Sequence, residues 1–159
     1  MAASATSIYQ WRAVDPLLAA CGQPTEDQLR AVAADGFKTV INLALHDEPR
    51  YSLPDEAGLA RSLGLTYVHI PVQFSAPTES DLGRFFDAMD AHRHEKVLVH
   101  CAANKRVTAF LGLYRVLRLA WDRELAFALM RDIWEPDAVW SAFIDGVLAK
   151  PVDAGSAAQ

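Results

Sequence analysis

The short run "KVLVH" (Lys96–His100) constrains the fold of this chain most. Val97, Leu98 and Val99 follow one another without alternation, so a strand built from them needs apolar cover on both faces. Helical text lies on either side. Before it, "PTESDLGRFFDAMDAH" offers Thr78 as a cap and sets Leu82, Phe85, Phe86 and Met89 on one side. After it, a helix is predicted over Val107–Ala120. A strand of this kind between helices belongs inside a sheet, not at its edge.

The alternation extends along the chain. "DPLLAA" (Asp15–Ala20) predicts a first strand. A helix follows, capped by Thr25, with acids in its first turn and Gly36 as its stop. "KTVINLAL" (Lys38–Leu45) predicts a buried strand, "LPDEAGLARSLG" a helix opened by Pro54 and closed by Gly64, and "LTYVHIPV" a further strand. Three helices are expected at the end, over Val107–Ala120, Arg123–Trp134 and Pro136–Lys150. The class is therefore α/β: a central, mostly parallel sheet of four to five strands flanked by helices. A single domain over residues 1–150 is expected, with 151–159 a disordered tail.

A net charge of −5 argues against nucleic acid as a partner, because such binding rests on a clustered basic surface. No apolar run approaches the roughly 18 residues of a membrane span, so no membrane partner is expected. The opening "MAASATSIYQWR" lacks the basic-then-apolar order of a secretion signal, which makes the cytoplasm the expected location. Cys21 and Cys101 are the two cysteines, too few for a disulfide framework or a zinc pattern. No metal or organic cofactor is expected, and Cys21 reads as structural.

In parallel sheets, ligands bind beyond the carboxyl ends of the strands. His100 and Cys101 stand at that end of the buried strand, and a helix start follows at once in "VHCAANKRVT". A thiol there gains from the helix N-terminus and nearby cations, both of which favour the thiolate. Converging backbone N–H groups suit a phosphate. A catalyst also needs an arginine fork on the phosphoryl oxygens and an acid for the leaving group.

The stretch resembles the signature loop of the cysteine-dependent tyrosine and dual-specificity protein phosphatases, which reads His-Cys, two residues, Gly, two residues, Arg, then Ser or Thr. "CGQPTEDQLRAVAADGFKTVINL" and "GLTYVHIPV" are similar to segments of a bacterial branch of small phosphatase-like proteins. The resemblance implies a fold of that class, with the signature loop between a central strand and a helix. It makes Cys101 the nucleophile and His100 the residue that orients the loop. Ala102, Ala103, Asn104, Lys105, Arg106 and Val107 form the phosphate-binding loop, and Thr108 supplies the hydroxyl for the departing sulfur. Two departures stand out. Val107 holds the arginine position, with Arg106 one residue early, a rotation of about 100° on a helix. Gln73 and Phe74 stand where the family's acid belongs, leaving Glu79 and Asp81 as nearby candidates.

The function this implies is hydrolysis of phosphomonoesters, on proteins or small molecules, through a cysteinyl-phosphate. A catalytically weak phosphate-binding module and a thiol sulfurtransferase are the alternatives. "WEPD" (Trp134–Asp137) matches the letters of the tyrosine phosphatases' acid loop but follows the nucleophile, so it reads as a helix start with Pro136 at its first position. "HRH" (His92–His94) reads as a solvated helix end. In "LHDEPRY", His46 and Arg50 border the site and are candidates for substrate contact.

Overall fold

The computed structural model describes residues 3–45 and 52–150. Five strands form one sheet: β1 (Arg12–Asp15), β2 (Leu18–Cys21), β3 (Thr39–Asn42), β4 (Thr66–His69) and β5 (Val97–His100). Their order is β1-β2-β5-β3-β4. β1 runs antiparallel to β2, and every other pairing is parallel. The chain is thus α/β with a mostly parallel sheet, and "VLVH" is its central strand. Leu18–Cys21 on one side and Thr39–Asn42 on the other pair residue for residue with Val97–His100.

The helices are α1 (Glu26–Ala34), α2 (Glu56–Ser62), α3 (Glu79–His92), α4 (Lys105–Leu117), α5 (Arg123–Ala126), α6 (Ala128–Ile133) and α7 (Ala138–Ala149). They cover both faces. Ala20, Ile41, Val97 and Val99 join Phe85, Phe110 and Trp140 in the core on one face. Ala19, Val40 and Leu98 join Leu29, Val32 and Ala60 on the other. Neighbouring residues of β5 enter opposite cores, as a pleated strand requires. Among the described residues no helix is long and apolar enough to cross a membrane.

Local chemistry sets the ends of these elements. Thr25 and Gln28 form a capping box on α1, and Thr78 accepts from the Asp81 amide at the start of α3. Several expected boundaries move. The strand expected over Asp15–Ala20 is a hairpin, because Asp15 Oδ1 accepts the Leu17 N–H at 2.7 Å and turns the chain at Pro16. α2 is capped by Asp55, which accepts from Gly58 N, and so begins two residues after Pro54. α7 is capped by Asp137, which accepts from Trp140 N, so Pro136 precedes the helix. α4 starts at Lys105, two residues earlier than expected. The helix expected over Arg123–Trp134 is split at Phe127. The Phe127 ring fills the space beside Gly112 of α4, where an added Cβ would meet it at 2.3 Å. That packing holds the break in place. His46, Arg50 and the 151–159 tail lie outside the described residues.

Candidate active site

β5 delivers His100 and Cys101 to the carboxyl end of the sheet, and α4 begins four residues after Cys101. The connection is Ala102–Asn104. Asn104 is left-handed (φ 64°), a conformation asparagine tolerates better than most residues. It occupies the glycine position of the signature. Its side chain does not cap α4 but donates from Nδ2 to Gln10 O at 2.9 Å. The first-turn amides of α4 are therefore left without a side-chain cap, at the positive end of a 13-residue helix.

The outer edge of the loop is laced to the N-terminal segment. Gln23 N donates to Ala102 O at 3.0 Å, and Gly22 bridges Ala103. A Cβ on Gly22 would lie 2.6 Å from Ala102 O, so only glycine allows this approach. The inner support is a buried pair. His100 Nε2 lies 2.5 Å from Glu56 Oε2, both side chains fully shielded from solvent. Glu56 Oε1 accepts from Gln23 Nε2 at 2.9 Å. The other ring nitrogen of His100, Nδ1, faces the Cys101 carbonyl at 3.3 Å. One carboxylate thus fixes the histidine ring and, through Gln23, the segment that holds the loop from outside.

Cys101 is buried at the floor of this arrangement, in the core on the α4 side of the sheet. Cys21 lies on the adjacent strand in the core of the opposite face. Burial pushes the Cys21 thiol well above its ordinary range, and the neighbouring Cys101 and Glu56 push it further. Cys21 is therefore protonated at neutral pH.

A cavity of about 280 Å³ adjoins the loop, lined by Ala44, Leu45, Gln73, Phe74, Ser75, Ala102 and Arg106. Arg106 forms one wall. Its Nη1 donates to Val72 O at 2.8 Å, and its guanidinium lies 5.8 Å from the Phe74 ring centroid. One of its five N–H donors is thereby engaged. Val107, at the signature's arginine position, is buried in the core. Lys105 is exposed, with Nζ 5.7 Å from the Trp134 ring centroid. The Thr108 hydroxyl donates back to Asn104 O and Lys105 O and accepts from Trp134 Nε1.

The segment searched for an acid is built from aromatic contacts. Phe74 packs against Trp134 and Trp140, and its carbonyl accepts from Trp140 Nε1 at 2.7 Å. Glu79 pairs with Lys150, and Asp81 with Arg84, both in the first turn of α3. Among the described residues no carboxylate lines the cavity. A larger cavity, about 610 Å³, lies away from the loop between α5–α6 and α7. The smaller one is the candidate site because Ala102 and Arg106 open into it.

Sequence reasoning missed Glu56 and Trp134. Glu56 is the first residue of α2, where an acid ordinarily serves the helix dipole in solvent, and nothing local signals its burial. Trp134 stands in "WEPD", where the acid-loop lettering drew attention to its neighbours.

Comparison with known proteins gives the family and the fold. A family profile described as PTP-NADK, "DSP-PTPase phosphatase fused to NAD+ Kinase", matches residues 7–132. A Xylella fastidiosa (strain Temecula1) protein named "Beta-lactamase hydrolase-like protein" is 34% identical over 118 residues, covering 73% of this chain. The chain spans only 27% of that relative's length. Among solved structures, "Putative phosphatase (DUF442)" from Shewanella putrefaciens CN-32 superposes with a TM-score of 0.80 at 32% identity, covering 91% of this chain and 95% of the other. Tk-PTP in its active form superposes with a TM-score of 0.70 at 24% identity, covering 87% and 93%, and shares the fold.

Proposed function

Since the chain belongs to the family of dual-specificity-type phosphatases described as PTP-NADK, we propose that it is a cysteine-dependent hydrolase of phosphomonoesters, on a protein or a small molecule. Cys101, as thiolate, attacks phosphorus. The bond from phosphorus to the leaving oxygen breaks, giving a cysteinyl-phosphate. Water then attacks phosphorus, the S–P bond breaks, and phosphate leaves with the thiolate restored. The first-turn amides of α4 and the donors of Arg106 not held by Val72 bind the non-bridging oxygens. One observation carries this reading: Arg106, although one residue early, stands in the wall of the cavity beside Ala102.

Among the described residues no carboxylate lines the cavity, and that lining bears on the substrate class. With no acid from the described residues at the leaving oxygen, that oxygen departs unprotonated, so rates fall steeply as its pKa rises. Aryl phosphates are the favoured substrates and alkyl phosphates poor ones. The test is hydrolysis of p-nitrophenyl phosphate from pH 5 to 8, with Cys101→Ser as control. Turnover that disappears in the variant is the expected result. Turnover that persists in the variant, or is absent from both proteins, sinks the proposal.

A lining without a carboxylate among the described residues is also compatible with a second reading, sulfur transfer. Attack of Cys101 on the outer sulfur of thiosulfate expels sulfite, a stable anion that needs no proton to leave, and leaves a persulfide on the cysteine. Cyanide then takes that sulfur as thiocyanate. Cys101-dependent thiocyanate formation without aryl phosphate hydrolysis selects this chemistry. Phosphate binding without either turnover selects a binding module.

A further inference from the structure

α4 carries a second buried arginine at its other end. Arg115 is 8% exposed, and among the described residues its guanidinium makes no hydrogen bond or ion pair. Its contact is with an aromatic face, 4.2 Å from the Trp121 ring centroid. Its nitrogens are not sealed off in the core but keep surface through which they can meet a ligand. The group opens into a cavity of about 170 Å³ at the end of the sheet opposite Cys101. Leu18, the first residue of β2, borders that cavity, as do Met89 and Arg93 from the end of α3.

The charges and the lining define an occupant. Arg93 and Arg115 face a single carboxylate there, Asp15, whose Oδ1 already accepts the Leu17 amide. Tyr114 is also present, but its hydroxyl donates to Asp90. Asp15 acts electrostatically on Arg115, and since Asp15 and Arg93 are both exposed, Arg115 is the one buried charge of this lining. Asp15 opposes any anion, and a dianion such as phosphate more than a monoanion. The rest of the lining is apolar, and Leu17, Leu119 and Trp121 are 44%, 40% and 41% exposed at its edge. Large side chains of this kind, left open beside a buried cation, suit a ligand with an apolar body.

We propose that the Arg115 cavity is a binding site for a small carboxylate with an apolar or aromatic body, its carboxylate held by the guanidinium of Arg115 and its body resting among Leu17, Leu119 and Trp121. The fork geometry matches a carboxylate's two oxygens. The volume limits the occupant to one ring or a short chain. The site is separate from the Cys101 loop: Arg115 lies nine residues beyond Arg106, about 14 Å along α4. It therefore stands whether or not the loop is catalytic.

Titration calorimetry with 3-phenylpropionate tests it, with acetate and 3-phenylpropanol as probes lacking the apolar body and the charge respectively. Saturable binding of 3-phenylpropionate is expected, with both controls at least tenfold weaker. Arg115→Gln should weaken binding roughly tenfold to a hundredfold, the range for a hydrogen bond to a charged group. Arg115→Lys should fall between. Cys101→Ser should bind as the parent does. Should Arg115→Gln fail to fold, Leu119→Asp at the exposed rim should abolish binding while leaving the fold intact. No saturation at millimolar 3-phenylpropionate, equal binding of the alcohol, or full binding by a folded Arg115→Gln or Leu119→Asp protein would overturn the assignment.

Discussion

Arg106 and Arg115 sit on the same helix and are each 8% exposed, yet they are used differently. Arg106 is anchored by the Val72 carbonyl and flanked by Phe74 at the loop end. Arg115 rests on Trp121 and has no acceptor among the described residues. Burial alone therefore says little about a buried arginine's role. An anchored guanidinium has a fixed direction, which suits a group that must meet charge developing at one point. An unanchored one retains its full donor set for whatever enters.

Substitution at the two positions should separate these roles. Arg106→Ala should lower kcat/KM for p-nitrophenyl phosphate by roughly 10²–10³-fold, the scale of losing one preorganised donor. Arg115→Gln should leave it within about twofold. Equal losses at both positions would break the contrast. Arg106→Lys keeps the charge but not the fork, so it should remain about tenfold below the parent, read in the same assay.

The supports of the loop end give effects on stability. Glu56→Ala strands a buried histidine and should cost about 3–5 kcal/mol in chemical denaturation. Gly22→Ala forces a methyl against Ala102 O and should cost about 1–3 kcal/mol while raising KM. The smallest effect belongs to the other end of α4. Burial, with the Asp90 contact adding, pushes the Tyr114 phenol up to about 12. Its neutral form is the one the fold accommodates. The linked stability is thus intact below about pH 10 and is lost as pH rises toward 12. Denaturation midpoints at pH 9 and pH 11.5 should differ less in Tyr114→Phe than in the parent.

Features written in adjacent residues were legible in the sequence. The unbroken apolar run of β5, the Thr25 and Thr78 caps, and the position of Cys101 between a strand and a helix start all depend on neighbours within a few positions. Features that depend on distant partners were not. The direction of Arg106 is set by a carbonyl 34 residues away, and the burial of Glu56 by a histidine 44 residues away. The break at Phe127 is set by a glycine on another helix. The acid position is the intermediate case. "QF" at residues 73 and 74 showed that no carboxylate stood there, but not that an aromatic cluster with Trp134 and Trp140 had taken the space.

The place of β5 bears on how the chain acquires its structure. β2 and β3 are both made long before their shared partner, since Leu18 and Thr39 each pair with Val97. Until β5 is inserted, the hairpin and the β3–β4 pair are two unlinked fragments. Closure of such distant contacts is slow, because chain entropy is lost before the contacts reward it. The loop around Cys101 is laced to residues near the N-terminus and so should mature in this same late step. Pulse-labelling hydrogen exchange should find the amides of Leu43 and Cys101 gaining protection together, after those of α1; protection of Cys101 ahead of Leu43 would contradict that order.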